Sequence, residues 1–321
     1  MAKVYATRRL PGNALERVRE AGHDLEVWPG ACPPPKPELL KAVPGAAGIV
    51  TTLEDPIDAE VMDAAGPSLR VIAQYAVGVN NIDLEAARAR GIRVTHTPGV
   101  LTEATADLAF ALLLAAARRV VEGQDRVRSG AWRCWGPELL LGPPVHGATL
   151  LVVGFGRIGQ AVARRARGFG MRILYASRHP KPEAEAALGA VRVGLLDAAL
   201  PEADFVSLHV PLTRETDRLF DRDRLARMKP GSVLVNTARG RVVDTEALLW
   251  ALEEGPLFAA GLDVTDPEPL PADHPLARHP RAVVTPHIGS ADRPTRRRMA
   301  EMVVGDLLAV LAGGEPRYPA V

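Results

Sequence analysis

Three ionisable side chains follow three successive predicted strands in the last third of the chain. Arg239, Glu268 and His287 each come shortly after an apolar run typical of a buried strand. Ligands of doubly wound sheets bind beyond the carboxyl ends of the strands. We therefore expect an arginine, a glutamate and a histidine at one edge of a sheet. The predicted strands are residues 232–236, 259–263 and 282–285.

Together these residue types could reduce a 2-keto acid, a reaction that needs a hydride donor, a proton donor and a group that binds negative charge. The planar guanidinium of Arg239 can bind a carboxylate through two hydrogen bonds. His287 is the residue type best suited to transfer a proton near neutral pH, and Glu268 would favour its protonated form. Each residue alone could be structural or merely solvated; their shared position favours catalysis.

A glycine-rich turn in the middle of the chain predicts a dinucleotide site. The apolar residues 150–153 lead directly into GFGRIG at 154–159, and a helix and a second strand at 172–176 complete a βαβ unit. The glycines allow a tight turn, close approach of a pyrophosphate and packing of helix on strand. The predicted contacts of this turn are Gly154, Gly156, Arg157, Ile158 and Gly159.

The residues after the second strand of this unit indicate which dinucleotide binds. A site selective for NAD carries a carboxylate there for the ribose 2′-hydroxyl. Here Ser177, Arg178 and Lys181 occupy that position, and no carboxylate occurs before Glu183. The pattern predicts NADPH in preference to NADH, with NADH still possible. A basic turn that accepts both cofactors is the alternative.

Composition excludes several other classes of function. The net charge of +1 gives no field that would attract nucleic acid or a membrane surface. Two cysteines make neither a disulfide framework nor a zinc site, and no metal-binding cluster is predicted. The N-terminus lacks the apolar core of a signal peptide, and the most apolar helix, at 108–117, is too short for a bilayer. We expect a cytoplasmic protein.

The order of predicted elements indicates two α/β domains. A chain of 321 residues suggests two domains of about 150 residues each. Strands alternate with helices over the first 95 residues, and again after the glycine turn, which is typical of parallel sheets. A long helix at 102–122 would link the domains, an irregular arm with Trp132 and Trp135 follows it, and a last helix at 293–312 would return to the first domain.

Seven motifs in order resemble the D-isomer-specific 2-hydroxyacid dehydrogenases, over essentially the whole chain. The resemblance implies two doubly wound parallel-sheet domains. A Rossmann cofactor domain (99–287), with a dimerisation arm at about 120–145, would be inserted in a smaller flavodoxin-like substrate domain (1–98 plus 288–321). The motifs are VGVNNID at 77–83, TADLA at 105–109, GFGRIG at 154–159, HVPLT at 209–213, NTARG at 236–240, GLDV at 261–264 and TPHIG at 285–289.

The resemblance also implies roles for individual residues. Arg239, Glu268 and His287 would be catalytic, and the substrate carboxylate would bind the backbone amides of Val77 and Gly78. Asp263 and Ser290 are further candidates for substrate contact. The remaining expected cofactor contacts are Thr105, His209, Pro211, Thr237, Asp263 and Gly289. The other histidines have no partner pattern and are predicted to be uninvolved: His23, His96, His146, His179, His274 and His279.

Within the family, the chain is most similar to the glyoxylate/hydroxypyruvate reductases. The similarity lies in GLDVTDPEPLP at 261–271, HPL at 274–276 and GAWRCW at 130–135. It implies a homodimer in which Trp135 reaches the partner's active site, although simple interface packing would also explain the tryptophans. A phosphoglycerate or D-lactate dehydrogenase and a non-enzymatic dinucleotide-sensing scaffold are the alternatives.

Overall fold

A computed structural model describes all residues, 1–321, and the chain divides into two compact units. One unit comprises Met1–Leu101 and Ser290–Val321, and the other comprises Thr102–Gly289. The boundaries predicted from sequence, after residues 98 and 287, lie three and two residues from these. No helix in the chain is both long and apolar enough to cross a bilayer.

The discontinuous unit contains a parallel sheet of five strands in the order β2-β1-β3-β4-β5. The order reverses between β1 and β3, as in flavodoxin-like sheets. The elements are β1 (Lys3–Ala6), α1 (Glu16–Glu20), β2 (Asp24–Val27), α2 (Lys36–Ala42), β3 (Ala46–Thr51), α3 (Ala59–Ala65), β4 (Val71–Gln74), α4 (Leu84–Ala89) and β5 (Arg93–Thr95).

The last helix of the chain completes this unit by covering one face of its sheet. Every residue of β3 and β4 is buried, as expected for parallel strands covered on both faces. Leu307 of the last helix lies over Gly48, where a Cβ atom would come within 2.6 Å of the leucine Cδ1. The glycine therefore makes room for the helix, which returns to the first domain as predicted.

The second unit contains seven parallel strands in the order β12-β11-β10-β9-β6-β7-β8. The predicted doubly wound α/β fold is thus confirmed in both units. The elements are α5 (Thr102–Ala117), α6 (Val120–Arg128), β6 (Thr149–Val153), α7 (Arg157–Gly168), β7 (Arg172–Ala176), α8 (Pro182–Leu188), β8 (Val191–Arg192), α9 (Leu196–Ala199), β9 (Phe205–Leu208), α10 (Arg222–Ala226), β10 (Ser232–Asn236), α11 (Thr245–Glu253), β11 (Leu257–Leu262), α12 (Pro275–Arg278) and β12 (Ala282–Val284), with α13 (Arg293–Leu311) in the first unit.

The single helix predicted at 102–122 is wrong, because the chain breaks it into α5 and α6. Arg119 adopts a left-handed backbone conformation, with φ of 51°, and its guanidinium pairs with Glu122 at 2.7 Å. Gly142 packs against the end of α5, where a Cβ atom would lie 2.0 Å from the Ala117 carbonyl oxygen. No glycine or proline marks the break, and α6 occupies the first part of the segment at about 120–145 that was expected to form a dimerisation arm.

Candidate active site

Three neighbouring strands of the second unit end at the same level of the sheet. β11 lies between β10 and β12, and Leu262 pairs with Asn236 on one side and with Val284 on the other. All three strands are parallel, so their carboxyl ends share one edge. This register brings to that edge the loops that carry Arg239, Glu268 and His287.

His287 and Glu268 form a close pair in this edge. Nδ1 of the imidazole lies 2.5 Å from Oε1 of the glutamate, and the two side chains are 27% and 31% exposed. A carboxylate only accepts hydrogen bonds, so Nδ1 carries the proton and Nε2 is the nitrogen left to act on a ligand. The expected pairing of glutamate with histidine is therefore present in the structure.

The backbone at His287 is held in an unfavourable conformation. Its φ of 52° lies in the left-handed region, which costs energy for a residue with a side chain. The Asp263 carboxylate holds the turn by accepting hydrogen bonds from the amides of Ile288 (2.8 Å) and Gly289 (2.7 Å) and from the Thr285 hydroxyl (2.6 Å). These three hydrogen bonds fix the turn that carries the imidazole.

Asp263 thus supports the turn that carries His287. It is 2% exposed, and burial raises the pKa of its carboxyl, although the hydrogen bonds from Thr285 and Ile288 oppose the shift. Both carboxylate oxygens are occupied by the turn. Direct contact of Asp263 with substrate or cofactor stays a prediction, whereas its contact with the turn is observed.

Arg239 lies in a turn that its neighbours fix from both sides. The Asn236 side chain donates to the Arg239 carbonyl at 2.9 Å, and the next residue, Gly240, packs against Thr265, where a Cβ atom would lie 1.9 Å from the carbonyl oxygen. This close packing brings the arginine turn against the loop that leads to Glu268.

The guanidinium of Arg239 is free to bind an anion. It donates to the Ala238 carbonyl at 2.6 Å and forms no ion pair with a carboxylate of the chain. Burial lowers its pKa, while the charge of Glu268 acts in the opposite direction. It remains protonated at neutral pH, because the guanidinium of arginine is not deprotonated in proteins. A half-buried cation without a counter-ion is suited to a carboxylate ligand.

The glycine turn has the shape that a dinucleotide requires. Gly154 has φ of 93°, and a Cβ atom there would lie 2.6 Å from the His209 backbone; one at Gly159 would lie 2.1 Å from the Gly154 carbonyl oxygen. In contrast, nothing lies within 4 Å of the Cβ position of Gly156. The second glycine, at the amino end of α7, therefore leaves open the space where a pyrophosphate would approach.

Other predicted cofactor residues surround this edge. The Thr237 hydroxyl is buried without a hydrogen-bond partner, which indicates a polar ligand. Thr105 is buried and donates to the Gly289 carbonyl at 3.2 Å. His209 contacts the Ser207 hydroxyl at 2.8 Å, and burial lowers its pKa to about 3, so this imidazole is neutral at physiological pH. The residues present fit a nicotinamide dinucleotide.

An arginine on the neighbouring strand, which no sequence motif indicated, holds the turn after β7. Arg192 of β8 donates to the carbonyls of Ser177 (3.0 Å) and Arg178 (3.1 Å) and so fixes their turn, while the amide of Lys181 donates to the Tyr175 hydroxyl at 3.0 Å. Arg192 pairs with Tyr175 in the β7–β8 ladder. No sequence motif indicates this role of Arg192. Only knowledge that β8 pairs with β7 could have suggested it.

The remaining predicted site residues lie outside the turns described above. Val77, Gly78 and Ser290 belong to the discontinuous unit. Pro211 follows β9, and its carbonyl accepts a hydrogen bond from Thr216 at 2.6 Å. Trp135 is 79% exposed, so no packing within its own chain explains it.

Comparison with known proteins identifies the family. The model of the D-isomer specific 2-hydroxyacid dehydrogenase, NAD binding domain, matches residues 110–289, more than half of the chain. The chain belongs to this family. The resemblance inferred from the motifs is thereby confirmed, and a nicotinamide dinucleotide is the cofactor of this dehydrogenase.

The similarity to known proteins extends over nearly the full length of this dehydrogenase. A glyoxylate reductase of Korarchaeum cryptofilum is 51% identical over 98% of this chain and 94% of its own. A crystal structure of a Thermus thermophilus protein is 62% identical, with a TM-score of 0.94 over 99% of this chain and all of that one. An NADPH-dependent glyoxylate/hydroxypyruvate reductase of Sinorhizobium meliloti, solved with NADP and malonate, is 33% identical, with a TM-score of 0.87 over 100% and 97% of the two chains.

Proposed function

We propose that this dehydrogenase reduces glyoxylate to glycolate and hydroxypyruvate to D-glycerate, with NADPH as the preferred cofactor. The observation that carries the proposal is the Glu268–His287 pair at the strand edge that also carries the unpaired guanidinium of Arg239. The names of the relatives support the substrate, since those of about half identity are glyoxylate reductases.

The chain supplies charge recognition and a proton. When bound, the reduced nicotinamide supplies the hydride to C2 of the keto acid. Arg239 binds the substrate carboxylate and polarises the keto group, and His287 gives the proton on Nε2 to the keto oxygen. Glu268 accepts the hydrogen bond from Nδ1 and stabilises the imidazolium before the proton leaves.

Further residues complete the proposal. The backbone amides of Val77 and Gly78 would bind the substrate carboxylate, and Ser290 and Asp263 would contribute to substrate binding. We also propose a homodimer in which Trp135 closes the partner's site and limits substrate size. Its large exposed indole supports an intermolecular role.

A panel of 2-keto acids tests the substrate. We expect kcat/KM with NADPH to be at least about tenfold higher for glyoxylate and hydroxypyruvate than for pyruvate and phosphohydroxypyruvate, which corresponds to about 1.4 kcal/mol of discrimination. The measurement is the loss of NADPH absorbance at steady state. A higher kcat/KM for pyruvate or phosphohydroxypyruvate would contradict the proposed substrates. Absence of turnover with every acid would contradict the proposal that the protein is an enzyme.

The cofactor preference is tested by Arg178→Ala. We expect kcat/KM for NADPH to fall about tenfold with NADH nearly unaffected, because one hydrogen bond to a charged group contributes about 1.5–3 kcal/mol and this one is exposed. Arg172→Ala is the matched control. Arg172 is the first residue of β7, at the opposite end of the strand from Arg178, and its guanidinium pairs with Glu202 at 3.0 Å. Equal losses with both cofactors would contradict the role of Arg178.

A further inference from the structure

Two backbone amides after β4 have no partner within the chain. No hydrogen bond of the structure uses the N–H of Val77 or the N–H of Gly78. The carbonyls that precede them are, in contrast, both engaged. Thr97 N donates to the Ala76 carbonyl and His96 Nδ1 lies against the Val77 carbonyl, each at 2.9 Å.

These anchored carbonyls determine where the amides point. In a planar trans peptide, the C=O of one residue and the N–H of the next point in opposite directions. Fixing the Ala76 carbonyl therefore aims the N–H of Val77, and fixing the Val77 carbonyl aims the N–H of Gly78. A carbonyl only accepts hydrogen bonds, so His96 must carry its proton on Nδ1.

His96 is itself held firmly in place. It follows directly after β5, and its backbone N–H donates to the Tyr318 carbonyl at 3.1 Å near the end of the chain. The side chain is only partly buried. A change of this side chain should therefore leave the core of the unit intact.

A second contact restrains the same loop from the other side of Gly78. Nε2 of Gln74, the last residue of β4, donates to the Gly78 carbonyl at 3.0 Å and to Asn81 Oδ1 at 2.7 Å. Asn81 donates in turn to the carbonyls of Thr52 (2.9 Å) and Asp55 (2.8 Å). Gln74 is fully buried, so its replacement would disturb the fold as well as the loop.

We propose that His96 is a positioning residue for the substrate carboxylate, because its Nδ1–H fixes the Val77 carbonyl and thereby aims the Gly78 amide. The inference rests on the proposed function, in which the amides of Val77 and Gly78 bind that carboxylate. It also revises the prediction that His96 is uninvolved. The geometry assigns to His96 an effect on substrate binding and none on proton transfer.

His96→Ala tests this role through the separation of KM from kcat. We expect KM for glyoxylate to rise about tenfold, the cost of one poorly aimed hydrogen bond to an anion, while kcat and KM for NADPH stay within twofold. His96→Asn should restore most of the affinity. Nδ2 of asparagine and Nδ1 of histidine are both bonded to Cγ, so the amide can donate to the same carbonyl.

His146→Ala is the matched control. His146 Nδ1 also lies 2.9 Å from a backbone carbonyl, that of Phe169, but in the other unit. This variant should leave KM for glyoxylate unchanged. An equal rise in both alanine variants, an unchanged KM in His96→Ala, or failure of His96→Asn to recover affinity would each overturn the inference.

A binding measurement separates this inference from the proposed function. Oxalate has a carboxylate like that of the substrate but is not reduced. Its Kd for the complex of the protein with NADPH can be measured by quenching of cofactor fluorescence. We expect the Kd to rise about tenfold in His96→Ala and to recover in His96→Asn. Wild-type protein that reduces no 2-keto acid would reject the function, whereas equal oxalate Kd values in all variants would reject the role of His96.

Discussion

Replacing His287 by glutamine is expected to lower kcat for glyoxylate by about a thousandfold, within the range that general acid catalysis supplies. Glutamine can still accept or donate a hydrogen bond, but its amide cannot release a proton to the keto oxygen. The bond of Nδ1 to Glu268, at 2.5 Å, is lost together with the acid. Substrate binding through Arg239 should persist, so KM should change much less than kcat.

The measurement pairs steady-state kinetics with the Kd of NADPH. We expect NADPH to bind His287→Gln with wild-type affinity, since the hydrogen bond of this side chain goes to Glu268 and not to the glycine turn or Thr237. His279→Gln is the control, because His279 lies at the other end of β12 and accepts a hydrogen bond from the Arg281 amide at 3.1 Å. Turnover of His287→Gln within tenfold of wild type would remove the imidazole from the mechanism.

The fold could be predicted from the sequence wherever a strand is buried on both faces. Such strands give continuous apolar runs between turns, as in β6 and β10. The glycine turn after β6 likewise predicts the helix that follows it. The break between α5 and α6 could not be predicted. Gly142, which is distant in sequence, packs against the end of α5 there, and no local pattern encodes that contact.

The site was predictable to the extent that it depends on topology. Parallel strands end at one edge, so residues that follow consecutive strands meet there, and Glu268 and His287 do. The supporting contacts were not predictable. The hold of Asp263 on the turn of His287 and the contact of His96 with Val77 both depend on the tertiary arrangement of loops, which no local pattern encodes.

Arg239→Lys should lower kcat/KM for glyoxylate by about a hundredfold to a thousandfold, even though the substitution retains the charge. Lysine cannot form the two parallel hydrogen bonds of a guanidinium to a carboxylate, and each hydrogen bond to a charged group contributes about 1.5–3 kcal/mol. Because Arg239 both binds the substrate and polarises its keto group, KM should rise and kcat should fall.

Arg241→Lys provides the matched control for this prediction. Arg241 is two residues away, is exposed, and pairs with Asp217 at 2.5 Å, so its replacement should leave kcat/KM within twofold. The loss in Arg239→Lys should also increase as the pH rises. Burial lowers the pKa of Arg239, and the same burial would lower the pKa of a lysine there, which unlike arginine can lose its proton in the accessible range. If Arg239→Lys kept wild-type kcat/KM at every pH, a simple positive charge would suffice, and the two-point binding of the carboxylate by Arg239 would have to be abandoned.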